Sequence, residues 1–568
     1  MKKTAVIFLL VTISLVHAQE ALKSAEEEYY DFLSLQGITV RPSLNYRTLS
    51  DSVWNIETES KAAADENGTE TTEELQLSHP WQDNNLGTQQ ILFAPETAAD
   101  NAFMRGIDQS ITLRIYGPEW YNSLNTASPY GQNDGALWQG KGYNTSLTAG
   151  ARLEGYGLEL TFKPQVSFSQ NREFDILPGV YGSEYSYFWK GNIDLVQRYG
   201  DSSFWTFDWG DTEVRYTWRT LTAGFGFQSP WLGPAWLNPM LGSNNAPAYP
   251  KLDIGLRKTH VYLPWLGWYI GDIEGRAWLG RLTESDYFDS NPDNDHRQLT
   301  GFSAAYSPSF LPGLTIGANK VCINDWQNKS IKYLNPLYST NGSQTDEGID
   351  EDQKMSLFAD WIFPQVGFEV YGELGIDDYA SQKTANPFHT AIYTVGAKKA
   401  LSISKKHGIY GELLFEWNNF EMSQDFQLNW HYMGYYAHGS IAQGYTQNGQ
   451  ILGAGGGYFG NSQFLGFKVY YPKGNVMVFF LRNRPDINFI YNIGLDTTMD
   501  DWIGEDHHSK WACNKTYKVF GISAVYWATK SLQICGEFDN VFINFPYYSK
   551  EDIGEKNYRF CLELKYNF

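Results

Sequence analysis

The last eleven residues restrict this chain more than any other feature. They read Tyr558-Arg559-Phe560-Cys561-Leu562-Glu563-Leu564-Lys565-Tyr566-Asn567-Phe568, with every even position apolar or aromatic and every odd one charged, polar or small. Successive side chains of a strand point to opposite faces, so this segment has one apolar face and one polar face. A strand of roughly ten residues with that alternation is the repeating unit of a membrane-spanning β-barrel.

The alternation is not confined to the end. From about Ile111 it recurs: Leu147, Ala149, Ala151 and Leu153 share one face, as do Leu158, Leu160 and Phe162. Phe302, Ala304, Tyr306, Pro308 and Phe310 alternate with small or hydroxyl residues. Phe520, Ile522, Ala524 and Tyr526 lead through Thr529-Lys530 into Leu532, Ile534, Gly536 and Phe538. Compact turns containing Pro or Gly close several hairpins, at 263–267, 311–313, 363–367 and 472–474. Short turns belong on the periplasmic side of such a barrel and long polar loops outside. The candidate long loops are 286–296, 324–353, 417–464 and 496–515. Counting hairpins predicts about sixteen to eighteen strands, an all-β transmembrane antiparallel barrel over residues 106–568. A soluble β-sandwich or propeller fits the alternation but gives no reason for an aromatic terminal strand.

The opposite end fits the same compartment. Lys2 and Lys3 precede the apolar run Ala5–Val16, and Val16-His17-Ala18 resembles a leader cleavage site, which predicts a signal peptide over residues 1–18. No other run approaches the ~18 apolar residues a membrane helix needs. A mildly hydrophilic average is compatible with a barrel, because half of each strand faces the lumen. The terminal Phe568 resembles the signal read by the bacterial barrel assembly machinery, so this machinery and outer-membrane lipid are the expected partners and the outer membrane the expected location.

Residues 19–105 read differently. Glu20–Leu35 has Leu22, Ala25, Tyr29, Phe32 and Leu33 near one helical face, with Gly37 placed to end it. Glu57–Glu74, rich in Glu, Thr, Ala and Asp, reads as a solvated linker. The formal charge of −21 disfavours nucleic acid, which needs clustered Lys and Arg. None of the four cysteines, Cys322, Cys513, Cys535 and Cys561, forms a CxxC pair, so neither a zinc site nor any other cofactor is expected. Cys535 and Cys561 should face the lumen from neighbouring strands, several residues out of register for a disulfide.

Two segments go beyond barrel grammar. One runs from Gly224 to Pro247 and contains Trp231-Leu-Gly-Pro-Ala-Trp236-Leu-Asn238-Pro and Ser243-Asn244-Asn245-Ala-Pro. The other is Gly444-Tyr445-Thr446-Gln447-Asn448-Gly449-Gln450-Ile451-Leu-Gly453, preceded by His431, Tyr432 and His438. In order and approximate spacing both resemble the capsule assembly protein Wzi family of outer-membrane proteins, with Gln447 where that family often has His. The resemblance covers about residues 100–568. It implies a barrel of about eighteen strands closed by an N-terminal helical plug and folded-in loops. It also implies a non-enzymatic, lectin-like role: binding exported capsular polysaccharide or exopolysaccharide and holding it on the cell. A porin or saccharide-uptake channel is the alternative that barrel size allows.

Sugars stack on aromatic rings while amides and carboxylates meet their hydroxyls. Trp231, Trp236, Asn238, Asn244 and Asn245 in the first segment, and His431, His438, Tyr445, Gln447, Asn448 and Gln450 in the second, are therefore the candidate glycan contacts. The same residues also suit structure: Trp near strand ends forms interfacial girdles, and Asn, Pro and Gly shape and tie down loops. Catalytic readings are poor. Asp506-His507-His508-Ser509 is adjacent in sequence, which rarely gives triad geometry. Asp293-Asn294-Asp295 and Asp350-Glu351-Asp352 read as solvated loop acids.

Overall fold

The computed structural model describes residues 17–19, 24–56, 60–64, 70–74, 81, 89–188, 192–328, 330–335, 351–377, 388–423, 434–486, 514–548 and 553–568. The leader core Ala5–Val16, Glu20 and Leu22, His431, Cys513 and Asp506–Ser509 lie outside the described residues.

From Ile111 onward, eighteen antiparallel staves each pair with their sequence neighbours. The last, Glu555–Tyr566, returns to the first, Ile111–Asn125, with Arg559 opposite Asn125 and Lys565 opposite Glu119, which closes the barrel. Below that seam, Gln89–Phe93 pairs with the lower part of the first stave. The terminal alternation sorts as its sequence predicts. Tyr558, Phe560, Leu562, Tyr566 and Phe568 are exposed on the outer wall, while Asn557, Arg559, Lys565 and Asn567 are buried in the lumen. Cys535 stands opposite Glu563 and Cys561 opposite Glu537, so the two thiols are offset and both are free.

The turns at Leu263–Trp268, Leu311–Leu314, Pro364–Gly367 and Lys405–Gly408 are as tight as their Pro and Gly content requires, and Gly367 and Gly408 take left-handed φ values of 59° and 62°. They mark the periplasmic end. Glu351 and Asp352, expected in a solvated loop, instead begin the stave Glu351–Phe363. Both are buried, because Lys354 reaches Asp352 at 2.7 Å and Gln353 donates to Glu351. The segment read as an acidic linker carries a small hairpin, Ser60–Ala64 against Glu70–Glu74.

Among the described residues a single α-helix, Ala25–Leu35, enters the lumen from the periplasmic end. Ser24 caps it by accepting the Glu27 N–H at 3.1 Å, and Gly37 at φ 71° ends it. The helix therefore begins later than Glu20, at the first residue able to cap it. Tyr29, Tyr30, Phe32 and Leu33 are fully buried; Tyr29 stacks on Trp81 at 4.4 Å and Phe32 on the wall residue Tyr470 at 4.3 Å. Its acids meet lumen-facing lysines of three staves: Glu26 with Lys565 (3.0 Å), Glu28 with Lys468 (2.7 Å) and Asp31 with Lys398 (2.6 Å). Burial pushes the Asp31 carboxyl upward, but Arg41 and Lys398 outweigh it and hold it well below the usual carboxylate range.

The following segment, residues 41–52, climbs the inner wall. The Glu274 carboxylate accepts the N–H groups of Leu44, Asn45 and Tyr46 at 2.7, 3.1 and 2.6 Å, and Asp51 pairs with Arg257 and Arg276. Backbone with no strand partner is thus satisfied by wall side chains, as buried backbone must be. Above it, inward-folded loops form an aromatic-rich core including Leu232, Met240, Tyr249, Tyr435, Tyr436 and Tyr445.

Candidate functional site

The two singled-out segments meet inside this upper core and clasp each other. Thr446–Gln447 and Gln450–Ile451 form a minimal hairpin through Asn448-Gly449, both at positive φ (47° and 79°), the combination that favours an Asn-Gly turn. Tyr445 Oη donates to the Leu241 carbonyl at 2.6 Å and Tyr436 Oη to that of Met240 at 2.8 Å. Returning contacts come from Ser243 Oγ to the Gly453 carbonyl (2.6 Å) and Asn245 Nδ2 to that of Ile451 (2.9 Å). Gln447 Oε1 accepts the Thr283 N–H at 2.8 Å, and the Asn448 N–H donates to the Thr283 carbonyl at 2.9 Å.

The first segment is also fixed to the wall. Glu416 accepts the N–H groups of Trp236, Leu237 and Asn238 at 2.6, 3.1 and 2.8 Å, and the Tyr371 hydroxyl at 2.8 Å. Asn238 Nδ2 donates to Asn418 Oδ1 at 2.9 Å, and its Oδ1 accepts from Gln132 and Gly456 at 2.5 and 3.1 Å. Trp231 is buried in the lumen, away from any interfacial girdle, with its indole N–H on the Ala235 carbonyl at 2.9 Å. Trp236 packs on Phe464 at 4.8 Å between ring centres. The Asn244 carbonyl accepts the Gly135 N–H at 2.7 Å, and His438 Nδ1 accepts the N–H groups of Ser440 and Ile441. Most of the sequence candidates therefore hold loops together, and two of them, Asn245 and Gln450, also line a cavity at the outward mouth.

That cavity, of about 350 Å³, lies between the loops 128–139, 174–197, 449–458 and 545–548 and the upper ends of the last staves. Nine aromatic residues are part of its lining. Tyr187 meets Tyr458 edge-on at 5.5 Å, Phe188 lies 5.5 Å from Tyr548, and Tyr130 lies 6.1 Å from Tyr517. Asp486 fixes two of these rings, accepting Tyr187 Oη at 2.8 Å and, through its backbone carbonyl, Tyr548 Oη at 3.4 Å. Burial, then the Asp486 charge, raises both phenols, so the hydroxyls stay protonated donors at neutral pH. Polar groups interrupt the aromatic lining. Asn483 Oδ1 and Gln450 Oε1 have no hydrogen-bond partner among the described residues. Asp134 also lines the cavity, accepts from Gln139 Nε2 at 2.9 Å and is pushed by burial up to about 6 against the pull of Arg559. Sequence reasoning missed Tyr130, Tyr187, Tyr458, Tyr517, Tyr547 and Tyr548. They come from five separate stretches, and only Tyr547 and Tyr548 are neighbours in the sequence.

Among the described residues, no cluster of His, Cys, Asp and Glu has metal-ligating geometry. Rings plus unpaired amide oxygens, in a cavity of this size, suit a polyhydroxylated ligand with apolar faces. The molecule is thus a plugged outer-membrane β-barrel with a recessed aromatic pocket facing outward. No curated protein matches the chain in sequence. The model of a family described as capsule assembly protein Wzi matches residues 130–484, and the chain belongs to that family. Among solved structures, Wzi of Escherichia coli, described as an outer membrane protein involved in group 1 capsule assembly and a carbohydrate binding β-barrel, is similar with a TM-score of 0.52 at 10% identity, over 80% of this chain and 85% of that one. OccAB2 of Acinetobacter baumannii gives 0.39 at 11% identity (82% and 99% covered), and OprB of Pseudomonas putida 0.36 at 9% (80% and 94%).

Proposed function

We propose that this protein binds exported polysaccharide at the cell surface and helps assemble or anchor a capsule or exopolysaccharide layer, without catalysing a reaction. The outward cavity carries this reading: rings locked by Asp486 supply stacking faces, and the unpartnered oxygens of Asn483 and Gln450 await hydroxyl donors. Family membership supports the same role. The lumen contents argue for a holder rather than a conduit, since helix Ala25–Leu35 and residues 41–52 are ion-paired to staves all around the wall.

The test is capture of the cell's own extracellular polysaccharide by the purified mature protein, repeated with Tyr517→Ala and Tyr547→Ala. One stacking contact is worth about 1–3 kcal/mol at most, so each variant should bind about five- to a hundredfold more weakly while keeping its barrel fold. Undiminished binding in both variants would remove the cavity from the function. Steady single-channel conductance of the intact protein in a planar bilayer would replace the holding role with transport.

A further inference from the structure

A second cavity, of about 320 Å³, lies at the other end of the lumen. Its roof is the underside of the Trp231–Trp236 segment, and its lower rim is formed by Gly37, Gly313 and Pro364 beside the short turns. It therefore faces the periplasm, with the first motif separating it from the outward pocket.

Four cations line it, and three of them are ion-paired. Arg41 holds Asp31, Asp360 and Glu369 at 2.7, 2.7 and 2.9 Å. Lys398 holds Asp31 at 2.6 Å and Glu369 at 3.2 Å, and Lys258 donates to the Arg41 carbonyl at 3.0 Å and lies 3.8 Å from Asp272. Arg47 differs. Its guanidinium makes one long hydrogen bond, to the Gly233 carbonyl at 3.4 Å, and no ion pair among the described residues. Yet it is rigidly placed: its N–H donates to the Trp231 carbonyl at 3.1 Å, its carbonyl accepts the Trp231 N–H at 2.8 Å, and the guanidinium sits 5.7 Å from the indole centre. Of the acids lining the cavity, Asp31 and Asp360 are committed to Arg41, Glu28 to Lys468 and Asp272 to the Tyr269 hydroxyl.

A guanidinium offers five donors in a fixed fork that matches carboxylate or phosphate oxygens two at a time. Half-buried, set beside the Trp231 indole and holding one long hydrogen bond, this fork has donors in position to meet an acceptor. We propose that the periplasm-facing cavity is an oxyanion-binding site, in which Arg47 grips the carboxylate or phosphate of a small molecule or chain end and the Trp231–Trp236 segment forms the wall above it. The site does not depend on the outward pocket's role.

The experiment is calorimetric titration of the full mature protein in detergent with sodium glucuronate, with inorganic phosphate, and with glucose as the neutral control. Saturable binding of one or both anions but not glucose is expected, weakened about tenfold or more by Arg47→Gln. Arg47→Lys, which keeps the charge but loses the fork, should bind between the two, and it serves if the Gln variant fails to form a heat-resistant barrel. Glucuronate without phosphate marks a saccharide carboxylate as the source, and phosphate without glucuronate a phosphoryl group. No anion binding by the wild type, or anion binding as tight in the folded variants as in the wild type, overturns the assignment.

Discussion

Glu416→Gln is the substitution that best separates a structural from a ligand-contacting role for the first motif. In the wild type, Oε2 accepts from the N–H groups of Trp236 and Leu237 and from the Tyr371 hydroxyl, and Oε1 accepts from Asn238. Glutamine keeps the shape but turns one oxygen into a donor. Its best orientation leaves the carbonyl on the Oε2 side and points the new NH2 at the Asn238 N–H, a buried donor facing a donor. Stranding that N–H costs about 1–3 kcal/mol, and loss of charge assistance at the remaining bonds brings the total to about 3 kcal/mol or somewhat more. The barrel wall does not depend on this contact, so the effect should be local. Hydrogen exchange followed by mass spectrometry on the detergent-solubilised protein should show Trp236–Asn238 amides exchanging about 150-fold faster or more, since each 1.4 kcal/mol of lost opening free energy is about tenfold. Amides of the terminal stave Glu555–Tyr566 should be unchanged. If exchange at Trp236–Asn238 stays within about threefold of wild type, the three N–H contacts do not hold the motif, and its role as a lumen keystone falls.

Three further outcomes follow from the same geometry. Trp236→Ala with Asn245→Ala should lower the thermal midpoint of the folded barrel yet leave glycan affinity within a few fold, because Asn245 Nδ2 is spent on the Ile451 carbonyl and Trp236 on Phe464; a large affinity loss at unchanged stability would move both residues into the ligand site. Breaking the half-buried Glu28–Lys468 pair with Lys468→Met should destabilise the plug by about 1–3 kcal/mol, and adding Glu28→Gln should restore part of it, measured as protease accessibility of residues 24–56; no recovery in the double variant would mean the pair is not coupled. Burial pushes the Glu284 carboxyl up to about 7, assisted by Asp289 and Asp194 and opposed by its hydrogen bond from Gln443. The folded state thus holds a proton the unfolded one releases near 4.5, so this group's contribution is greatest below that pH and is lost as pH rises toward 7. Exchange protection around Gln443 should accordingly fall between pH 5 and 8 in the wild type and stay level in Glu284→Gln.

The barrel was legible in the sequence because a wall strand records its environment locally. Phe560 and Leu562 face outward and Arg559 inward for reasons that need no distant residue. The plug helix was legible for the same reason, although its start shifts to the capping Ser24. The site was not legible, because its geometry is non-local. Nothing near Trp236 announces that Glu416, 180 residues away, will satisfy its N–H, nor that Tyr187, Tyr458 and Tyr548 will converge. Sequence reasoning offered Asn245 and Tyr445 both as glycan contacts and as residues that tie down loops, and residue type does not choose between the two. The fold gives them hydrogen bonds to Ile451 and Leu241.

The clasp between the two motif segments also bears on the family resemblance. Its hydrogen bonds run from the side chains of Tyr436, Tyr445, Ser243 and Asn245 to backbone carbonyls, so these four donors are held to their residue types while the positions across the clasp supply only main chain. The rings of the outward cavity come from separate loops and make none of these four bonds, although Tyr187 and Tyr458 touch each other. Resemblance at Trp231–Pro247 and Tyr445–Gly453 is then a resemblance of the internal clasp, and not of the outward pocket.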